Sequence, residues 1–314
     1  MVKFWLERPL PPEYDHLFQG VAEIVELSEA EAVLAGGWQF TAEFMDKAPH
    51  LCVISRMGIG YDNVDVAAAT ARGIVACNAP DAPTRSTAEM AITLIMAVAR
   101  QLKWLDRRLQ AGSGFAGYAA WEVEGKQLGL VGLGRIGSQV ARMAQGLGMQ
   151  VMAYDPFLTH SQIEARNVRP STTLEELLPA ADILSLHIPL TPENRHIINQ
   201  ETLARMKPGA ILINTARGGL VDEAALLTAV QNGHLFGVGL DVMAVEPPTA
   251  DHPLLQFDNV IVTPHVASGT IVGRQRLWQT AIEQAFMVLR GERPLGLLNP
   301  EVWERRRLVR ESRQ

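Results

Sequence analysis

Three side chains carry the chemistry that stands out in this sequence: Arg217, Glu246 and His265. An arginine clamps a carboxylate through a planar, bidentate pair. A histidine exchanges a proton with an adjacent hydroxyl or ketone oxygen near neutral pH. A glutamate that touches this histidine favours its imidazolium form. Beside a hydride carrier, the three suit oxidation or reduction at C2 of a 2-hydroxy or 2-keto acid. Each also has a plainer reading: a surface salt bridge for Arg217, loop solvation before Pro247-Pro248 for Glu246, a satisfied buried histidine for His265. Their placement argues against those readings. Each follows a short apolar run, at 210–214, 237–241 and 259–263, that reads as a buried strand. Ligands of parallel sheets sit beyond the carboxyl ends of such strands.

The element that must serve these residues lies upstream. Gln127-Leu128-Gly129-Leu130-Val131 reads as a buried strand, and Gly132, Gly134 and Gly137 follow at the spacing G-x-G-x-x-G. From Ser138 to Leu147 the apolar residues Val140, Ala141, Ala144 and Leu147 share one helical face. Gly132 allows the tight turn, Gly134 lets backbone approach a pyrophosphate, and Gly137 lets the helix pack close to the strand. The helix N-terminus then faces the phosphates. A second strand at 150–154 ends in Asp155, 18 residues beyond Gly137, close to where a ribose-binding acid belongs. Strand, glycine turn, helix, strand and acid together indicate dinucleotide binding. A carboxylate at 155 repels a 2′-phosphate, and Pro156 and Phe157 bring no arginine to welcome one, so NAD is expected over NADP.

A length of 314 residues suggests about two domains. Apolar content of 47% and charged content of 20% fit a globular chain with a sizeable core. The net charge of −6 gives no general attraction to nucleic acid or an anionic membrane. No apolar run spans a bilayer, and Glu7, Arg8 and Pro9 interrupt the opening segment before it resembles an export signal. Cys52 and Cys77, the two cysteines, lie in apolar runs, which points to packing and a reducing cytoplasm. No metal site is expected.

The second half alternates further strands (182–187 and the three above) with helical segments, giving about six parallel strands, the doubly wound count. The first third alternates strands at 3–7, 32–35, 51–55 and 74–77 with helical stretches such as 65–72, and reads as a second, smaller α/β unit. Gly58 and Gly60 follow its third strand and offer backbone N–H groups to an anionic substrate. Asp62, Asn63 and Asp65 read as turn and cap residues. A long helix is expected from about 88 to 109, capped by Thr84, Ser86 or Thr87, with a glycine-rich hinge at 111–117. Trp121 reads as a packing anchor. The basic end, Glu304-Arg305-Arg306-Arg307, reads as a solvated helix end.

The chain resembles the D-isomer-specific 2-hydroxyacid dehydrogenase family. The segments that carry the likeness are Arg56-Met57-Gly58-Ile59-Gly60-Tyr61-Asp62-Asn63-Val64-Asp65, Ser86-Thr87-Ala88-Glu89-Met90, the glycine turn, His187-Ile188-Pro189-Leu190-Thr191, Asn214-Thr215-Ala216-Arg217-Gly218-Gly219-Leu220-Val221-Asp222-Glu223, Leu240-Asp241-Val242 with Glu246-Pro247, and Thr263-Pro264-His265. The resemblance implies that Arg217 binds the substrate carboxylate, that Glu246 supports the histidine and that His265 is the acid/base. It implies carboxylate contacts from the backbone of Met57 and Gly58. It also implies cofactor contacts from Thr87, Gly132, Gly134, Arg135, Ile136, Gly137, Asp155, His187, Pro189, Ala216 and Asp241, with Asp241 at the carboxamide. The fold it implies is two doubly wound parallel-sheet domains. A Rossmann NAD-binding domain at 97–287 is inserted into a flavodoxin-like substrate domain at 1–96 and 288–314, and the cofactor domain forms a homodimer. Val266-Ala267-Ser268-Gly269-Thr270 departs mildly from the family pattern. Formate dehydrogenases of the superfamily carry glutamine at the position of Glu246, so that activity is disfavoured. The chain ends soon after its returning helix, so appended regulatory domains are not expected. Two further readings stay open: an NAD(H)-sensing binding protein on the same fold, and a phosphite dehydrogenase-like enzyme.

Overall fold

The computed structural model describes residues 1–307. The chain divides into two compact units, one of Met1–Pro83 with the chain from Thr270 on, the other Thr84–Gly269.

The first unit holds a five-stranded sheet of β1 (Val2–Leu6), β2 (Ala22–Ile24), β3 (Ala32–Ala35), β4 (Val53–Arg56) and β5 (Val75–Asn78) in the order β2-β1-β3-β4-β5. All its pairings are parallel, which is the flavodoxin-like order. Side chains alternate across the sheet. Leu34, Val53, Val75 and Cys77 enter one core with the C-terminal helix Ile271–Leu289, while Val33, Ile54, Ile74 and Ala76 enter the other. Ser55 Oγ donates to Ala281 O at 2.8 Å from inside the sheet.

The second unit holds β6 (Gln127–Val131), β7 (Gln150–Tyr154), β8 (Arg169–Pro170), β9 (Ile183–Leu186), β10 (Ala210–Asn214), β11 (Leu235–Leu240) and β12 (Val260–Val262). Their order, β12-β11-β10-β9-β6-β7-β8, is parallel throughout and reverses between β6 and β9. Ile211 and Ile213 point into one core and Ala210 and Leu212 into the other, so both faces are covered.

The unit boundaries fall away from 97 and 287. The helix Thr84–Ala99 packs on β10 and β11 of the second sheet, and Ile271–Leu289 packs on β3, β4 and β5 of the first. Which sheet covers an apolar helix face decides its unit, and helical spacing does not report that partner. The long helix expected from 88 to 109 is two, Thr84–Ala99 and Leu102–Gln110, broken where Gln101 turns left-handed at φ 50°. Thr84, Ser86 and Thr87 lie inside the first helix rather than before it. The basic end is a solvated helix end only in part: Glu304 and Arg305 are exposed at the end of the 3-10 helix Pro300–Arg305, while the next two arginines are engaged. Arg306 stacks over Trp303 at 4.1 Å, and the Arg307 backbone N–H donates to Gly73 O at 2.7 Å.

Candidate active site

The sheet order places β10, β11 and β12 side by side, so the segments that leave their carboxyl ends are neighbours. After β10, buried Asn214 shapes the turn. Its Oδ1 accepts from Ala216 N–H at 3.0 Å and its Nδ2 donates to Arg217 O at 2.8 Å. Arg217 is half-buried, with Nη1 donating to Ala216 O at 2.7 Å. A Cβ on Gly218 would stand 2.0 Å from Met243 O, so the Arg217 segment presses against the segment that carries Glu246.

Glu246 Oε1 accepts from Met243 N–H at 3.0 Å, and Oε2 lies 2.7 Å from His265 Nδ1. Burial pushes the Glu246 carboxyl up. The hydrogen bonds from His265 and Met243, with the charges of His265 and Arg217, outweigh it and hold the group below the ordinary carboxylate range. His265 is half-exposed and sits in the left-handed region at φ 52°, a conformation histidine adopts more readily than most residues. The backbone is held there by His265 N–H donating to Asp241 O at 2.8 Å. A cavity of about 240 Å³ opens among Asp241, Met243, Glu246, Thr263, Pro264 and His265. It suits a molecule of a few heavy atoms. Arg217, Glu246 and His265 thus stand on adjoining strand-end segments of one unit.

Asp241 does not project as a free ligand. Its side chain is 1% exposed, and its two oxygens take Thr263 Oγ1 at 2.5 Å, Val266 N–H at 3.0 Å and Ala267 N–H at 2.8 Å. Three donors leave about one of the carboxylate's acceptor positions without a partner among these bonds. The larger work of Asp241 here is to fix the turn on either side of His265.

The residues at the switch point suit a dinucleotide. Gly132 has φ 93°, and a Cβ there would stand 2.7 Å from His187 O; a Cβ on Gly137 would stand 2.2 Å from Gly132 O. Gly134, at the N-cap of the helix Arg135–Gly146, has open space where its Cβ would be, and Arg135 and Ile136 begin that helix. Asp155 lies over the turn, taking Leu133 N–H at 2.9 Å and Phe157 N–H at 2.9 Å. His187 Nε2 is 2.9 Å from Ser185 Oγ, and burial pushes its imidazole down to about 4, so it is neutral at pH 7. Pro189 is exposed, its carbonyl taking Asn194 Nδ2 at 2.7 Å. Thr87 is buried in the first turn of Thr84–Ala99.

In the first unit, both expected amide donors are engaged. Met57 N–H donates to Ala35 O and Gly58 N–H to Arg56 O, each at 2.9 Å. An incoming carboxylate would compete with those bonds. Among the described residues no group of three or more His, Cys, Asp and Glu side chains is arranged to hold a metal.

Three residues that sequence reasoning passed over belong to the second unit's strand-end region. Thr215 Oγ1 is buried, at 7% residue exposure, without a hydrogen-bond partner among the described residues, and it stands between Asn214 and Ala216. Glu223 Oε1 accepts from Ala244 N–H at 2.6 Å, and its Oε2 is 3.5 Å from His252 Nε2, which ties the Glu246 segment to the helix Glu223–Gln231. Glu223 follows Asp222, the N-cap of that helix, and His252 has no local signature in the sequence.

Residues 92–267 match the family model of the D-isomer specific 2-hydroxyacid dehydrogenase, NAD binding domain. The chain is 39% identical over 313 residues to the D-3-phosphoglycerate dehydrogenase of Methanocaldococcus jannaschii, covering 95% of this chain and 60% of that one. It is 41% identical over 266 residues to the glyoxylate reductase of Korarchaeum cryptofilum, covering 83% and 80%. The chain therefore spans about three fifths of the length of that phosphoglycerate dehydrogenase. The crystal structure of D-lactate dehydrogenase from Aquifex aeolicus, complexed with NAD and lactic acid, superposes with a TM-score of 0.82 at 30% identity, covering 92% of this chain and 96% of that one.

Proposed function

Since the chain belongs to the D-isomer specific 2-hydroxyacid dehydrogenase family, we propose that it is an NAD-dependent dehydrogenase acting at C2 of a D-2-hydroxy acid or the matching 2-keto acid. The observation that carries this reading is the 2.7 Å contact of His265 Nδ1 with Glu246 Oε2, beside the Arg217 segment. The nicotinamide, when bound, supplies or takes the hydride. In reduction, protonated His265 gives a proton to the ketone oxygen as C2 gains hydride; in oxidation, neutral His265 takes that proton back. Glu246 holds Nδ1, which leaves Nε2 for the exchange. Arg217 holds the carboxylate and polarises the ketone.

The glycine turn, Arg135 and Ile136 would take the pyrophosphate and Asp155 the ribose hydroxyls, the geometry an unphosphorylated ribose needs. His187, Pro189, Ala216 and Thr87 line the same cofactor in this reading, and Asp241 adds one acceptor at the carboxamide. For the amides of Met57 and Gly58 to take part in holding the carboxylate, they would have to give up their bonds to Ala35 O and Arg56 O. The working form is a homodimer in the cytoplasm: exposed Leu102, Leu109 and Phe115 give the cofactor unit apolar surface to bury, and the buried free thiols Cys52 and Cys77 suit a reducing compartment.

The test is NADH consumption with glyoxylate, hydroxypyruvate, phosphohydroxypyruvate, pyruvate and bulkier 2-keto acids. Turnover of one of them establishes the reading. NADH binding without any turnover moves it to a sensor of NAD(H).

A further inference from the structure

Ser185 lies in β9, the central strand of the second sheet, between β6 and β10 where the strand order reverses. It is fully buried, and its neighbours Leu184 and Leu186 belong to an apolar core. A hydroxyl in such a place costs stability unless it is hydrogen-bonded. Its one hydrogen bond among the described residues is the 2.9 Å contact with His187 Nε2. Side chains two apart on a strand share a face. Here it is the face of Ile183, which shares a core with Val140 and Ala141 of the helix Arg135–Gly146.

The contact fixes a tautomer. A serine hydroxyl carries one hydrogen, and a neutral imidazole carries one on either nitrogen. If Nε2–H donated to Oγ, the serine hydrogen would be buried with no acceptor. Oγ–H therefore donates to Nε2, and the ring hydrogen is on Nδ1. Burial keeps the ring neutral at pH 7 by pushing its pKa down to about 4. Nδ1 makes no hydrogen bond to a described residue and, unlike Thr215 Oγ1, is not sealed from solvent. His187 leaves β9 beside the glycine turn. Its N–H donates to Val131 O at 2.8 Å, and a Cβ on Gly132 would stand 2.7 Å from its carbonyl oxygen. A Cβ on Gly137, in the first turn of Arg135–Gly146, would stand 3.6 Å from the His187 Cβ. That first turn is where the phosphates of a dinucleotide sit.

We propose that Ser185 is a positioning residue for the cofactor: by donating to His187 Nε2 it presents the Nδ1–H to an oxygen of the dinucleotide's pyrophosphate. The ring then supplies a donor without carrying a charge. A hydrogen bond to an ionised phosphate is roughly twice as strong as one between neutral groups. The other tautomer would set a lone pair against the same oxygen. The inference rests on dinucleotide binding by this unit and not on the hydride chemistry.

The experiment compares wild type, Ser185→Ala, Ser185→Thr, His187→Ala and the double variant Ser185→Ala/His187→Ala. Nitrogen-15 spectra of the histidine rings report the tautomer, and calorimetry reports the binding of NADH and ADP-ribose. The His187 signals, assigned by their loss in His187→Ala, should show hydrogen on Nδ1 in wild type and Ser185→Thr, and a shift toward Nε2–H in Ser185→Ala. Ser185→Ala should weaken both ligands by about tenfold, Ser185→Thr should recover most of that loss, and the double variant should bind no more weakly than His187→Ala. Hydrogen on Nε2 in wild type overturns the inference, and that spectrum decides even if a variant fails to fold. Additive losses in the double variant overturn it too, because Ser185 would then act other than through His187. ADP-ribose carries the pyrophosphate and no nicotinamide, so a loss confined to NADH overturns the pyrophosphate contact. If wild type binds neither ligand, dinucleotide binding itself fails and the proposal falls with it, whatever the ring spectra show.

Discussion

His265 Nδ1 and Glu246 Oε2 stand 2.7 Å apart although 19 residues separate them in the chain. The contact exists because β11 and β12 are neighbours in the sheet and because Asp241 anchors the backbone on both sides of His265. It leaves one imidazole nitrogen for chemistry and fixes which one.

Replacing His265 by Ala should lower turnover by about 10²–10⁴-fold, the usual contribution of a positioned acid/base. NADH affinity, read from its fluorescence on titration, should change little. Near wild-type turnover in this variant would falsify the assignment.

Glu246 makes a prediction about pH. Its carboxyl is held below the ordinary value of 4.5 in the folded chain. The stability it contributes is therefore fully present above that value and is lost as pH falls through the lower, folded value. Thermal unfolding between pH 3 and 7 should show Glu246→Gln less stable than wild type near neutrality, with the gap closing at the acid end. A gap that stays constant with pH would mean that the carboxylate charge is not what stabilises the site.

Glu223 is a positioning residue for Glu246. Its carboxylate takes the Ala244 N–H at 2.6 Å, two residues before Glu246. Glu223→Ala loses that hydrogen bond, which is worth about 1 kcal/mol, and should lower kcat by roughly fivefold with NADH affinity preserved, since about 1.4 kcal/mol is a factor of ten. Glu223→Gln keeps an oxygen for Ala244 and should recover most of the rate. Equal losses in both variants would point instead to the His252 contact.

How far the site could be read in advance follows from what each feature depends on. Arg217, Glu246 and His265 stand out because a polar residue after an apolar strand is a local pattern, and β10, β11 and β12 are consecutive both in sequence and in the sheet. The glycine turn was legible for the same reason. The role of Asp241 was not. Residue type shows a carboxylate at a strand end, and only the fold shows it taking three donors from the turn after β12. The three backbone N–H groups of Gly36, Gly37 and Trp38 that donate to the Glu7 carboxylate were equally hidden, because Glu7 lies about thirty residues away in the chain. β2 and β8 escaped notice because strands of three and two residues are too short to show a period. The break at Gln101 is a single left-handed residue inside an unbroken helical spacing.

Asp155 should govern the choice between NAD and NADP, but it has a second task that complicates the usual substitution. Its oxygens take the N–H groups of Leu133 and Phe157, so it also braces the glycine turn. Asp155→Ala removes both functions. It should weaken NADH binding and relax discrimination against NADPH together. Asp155→Asn removes the negative charge while one side-chain oxygen still accepts from the turn. If repulsion of the 2′-phosphate is the main source of selectivity, Asn should gain on NADPH nearly as much as Ala while losing less NADH affinity. The measurement is kcat/KM for both cofactors in the three proteins at fixed keto acid. A ratio unchanged in both variants would remove Asp155 from cofactor choice. A change in Ala alone would assign its effect to the turn rather than to charge.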